Sequence, residues 1–205
     1  MAVVNDCTDS TDHNDSNDHN ASNDSNDSND LTDCTDCTDL NDIWSFYFHD
    51  PNDSNWNYDS YVKICDVSTV QEFVELNHLV KSKIYGGMFF LMREYVFPCW
   101  DDENNVKGGC LSLKITNDDV KDIWTSLAYR LIGETLLKDA QHQIDLWNNV
   151  NGISISPKKH YCIIKVWMKD VNISDRNQFR LPSQVKGEVL FKTNQSSIDG
   201  DVVRH

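Results

Sequence analysis

The chain has 205 residues and a formal charge of −15, but its first 42 positions hold twelve Asp and no Lys, Arg or Glu. The acidity therefore belongs to a tail, from which like-charged nucleic acid is excluded. The nearly neutral remainder carries all six Trp, all seven Tyr and all eight Phe, enough apolar mass for one core.

Within the tail, Asp falls at every multiple of three from Asp6 to Asp42, except at Ala21. Asn, Ser and Thr fill most of the spaces. Such a segment cannot bury enough apolar surface to offset the entropy of ordering, so residues 1–42 are expected to be a disordered Asp/Asn/Ser/Thr repeat tail. It reads as an expanded codon repeat, or alternatively as an electrostatic brush or phospho-acceptor tract. Cys34 and Cys37 form a Cys-x-x-Cys that repeat slippage explains, and no second pair completes four ligands, so no metal and no cofactor are expected. Seven scattered Cys fit reduced thiols. No signal peptide or membrane-length apolar run is seen, which predicts a cytoplasmic protein that does not enter membranes.

One domain is expected over residues 43–205. Ile43 to His49 is aromatic-rich and reads as a strand. Asp50 to Asn55 is a turn-rich loop that delivers Trp56. Tyr61 to Val67 reads as a second strand. A Ser68-x-x-Gln71 capping box opens a helix over 69–81. Met88 to Met92 is a buried strand, followed by the loop Phe97-Pro98-Cys99-Trp100-Asp101-Asp102-Glu103. Cys110 to Ile115 alternates as a half-buried strand should. Asn117 is placed to cap a helix whose stripe runs Val120, Ile123, Trp124, Leu127, Leu131 and Ile132. A short helix is predicted within 138–150. Ile153 to Ser156 and Cys162 to Met168 form a hairpin about Pro157-Lys158-Lys159-His160, and Gly187 to Lys192 is a last strand. Mixed strands with few helices predict an α+β fold, a single curved antiparallel β-sheet with helices on one face.

A large ring followed at once by three carboxylates makes poor core. Trp100 and Trp56 can instead sandwich a flat ring, with stacking worth about 1–3 kcal/mol per base. A cationic ring such as N7-methylated guanine gains more through the indole quadrupole. A neighbouring carboxylate can then accept the guanine N1 and N2 protons. For either tryptophan, partly buried packing is the alternative. Lys158, Lys159, His160 and Lys165 form a small basic cluster, suited to phosphates or simply to a solvated turn. No catalytic motif is present.

These residues resemble the eukaryotic translation initiation factor 4E family of mRNA cap-binding proteins, from about Trp44 to Pro182. The resemblance rests on Trp44-x-Phe-Tyr-Phe, Trp56, Thr69-Val70-x-x-Phe73, Phe97-Pro98-x-Trp100-x-Asp102-Glu103, Lys107-Gly108-Gly109, Trp124 with Leu131-Ile132-Gly133-Glu134, and Gly152 fifteen residues before Trp167. It implies helices on the convex face of the sheet and a cap pocket on the concave side. It gives the base sandwich to Trp56 and Trp100, the guanine edge to Asp101 in place of the family's Glu, and the N7-methyl neighbourhood to Trp167. Cap phosphates fall to Lys158, with Lys159 or Lys165 standing in for a family Lys replaced by Ile163. The family's dorsal partner surface falls on Val70, Val74 and Tyr129, with Val74 in place of a Trp, so ordinary scaffold peptides are expected to bind poorly.

The expected function is non-catalytic binding of the 7-methylguanosine end of capped mRNA in translation initiation, by a monomer that meets a divergent initiation-factor scaffold. The alternatives are a cap-binding repressor that recruits no usual scaffold, a fold relative that has lost the cap, and a cap-processing enzyme.

Overall fold

The computed structural model describes residues 37–138 and 144–202. The Asp repeat up to residue 36, Cys34 and His205 lie outside that range, as does part of the helix expected within 138–150. Seven strands form one sheet: β1 (Asp39–His49), β2 (Tyr61–Thr69), β3 (Met88–Arg93), β4 (Gly109–Thr116), β5 (Val150–Pro157), β6 (Tyr161–Met168) and β7 (Val189–Thr193). Their order is β2-β1-β3-β5-β6-β4-β7, and every pairing is antiparallel. Helices α1 (Val70–Lys83) and α2 (Val120–Ile132) cover the convex face. Two shorter ones are α3 (Ile144–Trp147) and α4 (Asn194–Val202). The expected α+β fold is the observed one. None of the described helices is long and apolar enough to cross a membrane.

Side-chain alternation sorts the strands onto two faces. The convex face supplies Trp44, Phe46, Leu91, Leu111, Leu113, Ile153, Ile155, Ile164 and Val166. Against it pack Phe73, Leu76 and Val80 of α1 and Ile123, Trp124, Leu127 and Leu131 of α2. Burying each such side chain stabilises by about 1.5–3 kcal/mol. The concave face carries a second, smaller cluster of Tyr47, Phe90, Met92, Val96, Cys110 and Trp167.

Two glycines permit close backbone approach. A Cβ on Gly108 would meet Met168 O at 1.8 Å, and one on Gly152 would meet Leu91 O at 2.3 Å. Gly152 also has φ near +157°, at a register shift in the β5–β6 pairing.

Several boundaries differ from expectation. The first strand begins at Asp39, so the ordered domain starts inside the stretch expected to be tail. The reason is long-range: the Asp42 carboxylate pairs with Arg93, which is only 2% exposed. The Arg93 Nε–H donates to Val150 O at 2.7 Å and Nη2 donates to Trp147 O at 3.2 Å. Its guanidinium also lies over the Trp44 and Trp147 rings.

The cap of α1 is Thr69 with Glu72, one residue later than the predicted pair. The Glu72 carboxylate accepts from the Ser68 and Thr69 amides at 2.8 and 3.0 Å. A charged acceptor at a helix N-terminus outcompetes the neutral Gln71 amide. Gln71 instead accepts from Thr38 N, at the start of β1. Asn117 does not cap α2, which begins at Val120, and its carbonyl accepts from the Tyr85 hydroxyl. The α4 helix was not anticipated, because its only apolar residues are Ile198 and Val202. Between Trp167 and Pro182 the described residues form only a short 3-10 turn, Arg176–Gln178.

Removing the Asp42 charge leaves a buried guanidinium without its counter-ion. Because Asp42 is itself 30% exposed, the cost is discounted for solvent. Asp42→Asn is expected to lower stability by about 1–3 kcal/mol, read as a shifted urea midpoint with an unchanged slope.

Candidate functional site

Register lines up side chains across the concave face. One row runs Tyr47, Phe90, Ser154, Lys165, Ser112 and Leu190, from β1 to β7. The next runs Ser45, Met92, Gly152, Trp167, Cys110 and Lys192. Trp167 is 2% exposed, and its indole Nε1–H donates to Ser154 Oγ at 2.9 Å. It is therefore a floor residue whose polar edge is already engaged.

Two loops rise beside this face. The loop after β1 is a chain of side-chain-closed turns. Asp50 Oδ1 accepts from Asn52 N, Asp53 Oδ1 from Asn55 N, and Asn55 Oδ1 from Asn57 N, at 2.8–3.0 Å. This is the turn chemistry that its Asp and Asn residues dictate. It presents Trp56, half exposed, stacked flat on the His49 ring at 4.2 Å and 5°. His49 is fully buried, and its Nε2 bonds Asn55 O at 2.9 Å. The Tyr61 ring meets both edge-on.

The loop after β3 is pinned differently. Asp102 Oδ1 accepts from Asn104 N at 2.9 Å. The buried Asn105 Nδ2 donates to Phe97 O at 2.8 Å and to Cys99 O at 2.9 Å. In turn Asn151 Nδ2 donates to Asn104 O and to Asn105 Oδ1, and Asn194 Nδ2 donates to Asn105 O. Trp100 sits on this frame, partly buried against the Trp167 cluster.

Tyr58 joins the two loops. Its ring lies 4.4 Å from Phe97, which also meets Tyr47 and Tyr61 edge-on. The Tyr58 hydroxyl and the Asp101 carboxylate both lie beside the Cys99 thiol. Cys99 is pushed to about 12, first by burial and then by Asp101. Tyr58 rises to about 12 through the neighbouring Cys99 thiol, and burial raises Tyr61. Cys110, beside Trp167 in the same row, is raised to about 12 by burial, against the field of Lys165.

Of the expected site residues, the structure assembles Trp100, Asp101, Trp167 and Lys165 on one side, with Trp56 on the loop bound to them through Tyr58. Lys158 and Lys159 lie apart on the exposed β5–β6 turn, where the Lys158 amide donates to Tyr161 O, about 13 Å along β6 from Lys165 at the usual strand rise. Lys114 was overlooked. It pairs with Ile163, two residues nearer the turn than Lys165, with its ammonium 4.5 Å over the Tyr161 ring. The alternation of Cys110, Ser112 and Lys114 already places it on this face. His49, Tyr58 and Asn105 were also missed. The proposed dorsal pair is exposed on neighbouring helices, Val74 on α1 and Tyr129 on α2, where Tyr129 stacks edge-on against Phe73. Val70 beside them is half-buried. Among the described residues no cluster of His, Cys, Asp and Glu is arranged to hold a metal.

The raised thiols and phenols have a consequence for stability. Groups held protonated in the fold contribute stability below their ordinary values, near 9.0 for Cys and 10.0 for Tyr, and lose it as pH rises toward 12. The urea midpoint is expected to fall steadily between about pH 9 and pH 12, and Cys110→Ala should make that fall shallower.

The model of the family described as Eukaryotic initiation factor 4E matches residues 39–199. A eukaryotic translation initiation factor 4E homolog of Acanthamoeba polyphaga mimivirus is 23% identical over 135 residues, 55% of this chain and 48% of its own. The Eremothecium gossypii eukaryotic translation initiation factor 4E is 26% identical over 136 residues, 62% of this chain and 61% of its own. The chain thus spans about half to three fifths of the length of these curated relatives. A schistosome eIF4E, complexed with m7GpppG and 4E-BP, shares the fold at a TM-score of 0.66 and 20% identity, over 79% of this chain and 91% of that one. With the family match running through nearly the whole ordered domain, the chain belongs to the eukaryotic initiation factor 4E family.

Proposed function

We propose that this protein binds the 7-methylguanosine 5′ cap of mRNA, without catalysis, as a factor of translation initiation. The observation that carries the reading is the joining of the Trp56 and Trp100 loops through Tyr58, over an aromatic face with Asp101 at its rim. A flat cationic base between the two indoles gains stacking and cation–π attraction together. Asp101 accepts the guanine N1–H and N2–H. The Cys99 thiol and both tyrosine hydroxyls keep their protons at neutral pH, so they add no competing negative charge to that corner.

Trp167 is read as the floor beneath the N7-methyl region. The phosphates run from Lys165 past Lys114 toward Lys158 and Lys159, down one line of the sheet. Family membership and the fold shared with cap-complexed structures support this reading. A scaffold protein is assigned to the surface of exposed Val74 and Tyr129 with half-buried Val70 beside them. With Val74 where an aromatic anchor would stand, ordinary scaffold helices should bind this face weakly, at a loss of about 2 kcal/mol or more. That deficit favours a dedicated partner.

Titration of tryptophan fluorescence tests the cap reading. Quenching by 7-methyl-GTP should need about tenfold less ligand than quenching by GTP, as a cation–π difference of about 1–2 kcal/mol implies. Trp100→Ala and Asp101→Asn should each abolish the difference. Equal quenching by the two nucleotides would reject the proposal.

A further inference from the structure

Lys165 is more than a phosphate ligand in waiting. It stands mid-sheet, between Ser154 of β5 and Ser112 of β4. Its stem rises in the row next to Trp167, and its ammonium lies 5.1 Å over the Trp100 ring and 5.9 Å over the Trp167 ring. Both distances fall within cation–π range. The ground beneath is the apolar cluster of Phe90, Met92 and Cys110. The half-buried lysine has its ammonium drawn over two indoles. A cation is therefore already seated on one of the two rings that are to hold the cationic base.

Resting on the cap-binding reading, we infer that Lys165 is an internal stand-in for the ligand, whose ammonium must leave Trp100 before a methylated base can stack there. Two cations cannot share one indole face. The base therefore displaces the ammonium, and the cost of lifting it off the ring counts against binding. A nucleoside offers the displaced lysine nothing. A nucleoside triphosphate offers it phosphate oxygens within reach of the same flexible four-carbon stem. The seat thus couples the two halves of the cap. It discriminates against bases without phosphates, and it turns a residue that blocks the free site into one that grips the bound ligand. Ser112 and Ser154 on either side leave the swing unhindered by bulk. Cys110 in the neighbouring row stays neutral and offers no competing anion.

The test compares wild-type protein, Lys165→Met and Lys165→Arg by calorimetric titration with 7-methylguanosine, 7-methyl-GTP and GTP. Met keeps the apolar stem and removes the charge. Lys165→Met is expected to bind 7-methylguanosine about two- to fivefold more tightly, the gain that removing an exposed cation–π competitor implies. It should bind 7-methyl-GTP more weakly, and Lys165→Arg should behave as wild type on both. A loss of 7-methyl-GTP affinity with nucleoside affinity unchanged or reduced would overturn the proposal and leave Lys165 a plain phosphate ligand. A wild-type protein that does not prefer 7-methyl-GTP to GTP would instead sink the cap-binding reading itself.

The seat has a ligand-free readout as well. Reductive methylation with carbon-13 keeps the lysine charge. The Lys165 methyl signal should be shifted upfield by the indole ring current, and Trp100→Ala should remove that shift. A signal at the position of an ordinary solvent-exposed lysine would overturn the seat whether or not any cap analogue binds.

Discussion

The Asn105 amide gives both of its protons to the chain on either side of Pro98, at Phe97 O and Cys99 O, and so decides where Trp100 stands. Its own carbonyl oxygen is held by Asn151 of β5, and its backbone carbonyl by Asn194 of α4. Three residues distant in sequence thus fix one loop. All three are buried, where an unsatisfied amide costs more than a bond contributes, so the network is held as a unit. The position of Asp101, the contact of Tyr58 with Phe97 and the approach of Lys165 to Trp100 all follow from that frame.

The opposite loop uses cheaper chemistry. Asp50, Asp53 and Asn55 close successive turns locally, and His49 supplies a flat platform behind Trp56. One ring is therefore held by long-range amide bonds and the other by local turns and a stack. The bonds of the first are buried, while those of the second are open to water, which makes the Trp56 side the easier to rearrange. Tyr58 is where the two meet. The sheet beneath is divided by alternation alone: one face buries its aliphatic residues under α1 and α2, and the other keeps aromatic, serine and lysine side chains for the site.

Much of this was legible in the sequence. Strand alternation from Cys110 to Ile115, the helix stripes and the Asp- and Asn-rich loop before Trp56 are local signals, and local signals survive into the fold. The two tryptophan loops could be named because indoles beside turn residues and carboxylates are hard to explain as core. The misplacements have common causes. The strand at Asp39–Asp42 was hidden because repeat composition says nothing of a partner fifty residues away, and Arg93 is that partner. Ser68 with Gln71 and Thr69 with Glu72 both satisfy the capping pattern, and only the carboxylate's stronger acceptance separates them. Asn105, Asn151 and Asn194 look like ordinary loop asparagines until the sheet brings them together. Lys114 is readable from the Cys110-Ser112-Lys114 alternation, which is a weaker local signal than two adjacent lysines in a hairpin turn.

Cap binding by this protein requires a methylated base to sit between two particular indoles. A structure of the protein with 7-methyl-GTP tests it most directly. The base should be stacked between Trp56 and Trp100, at about the 3.5–4.0 Å of aromatic van der Waals contact, with its N1–H and N2–H on Asp101. Density for the base anywhere else on the molecule, or stacked on neither indole, would contradict it.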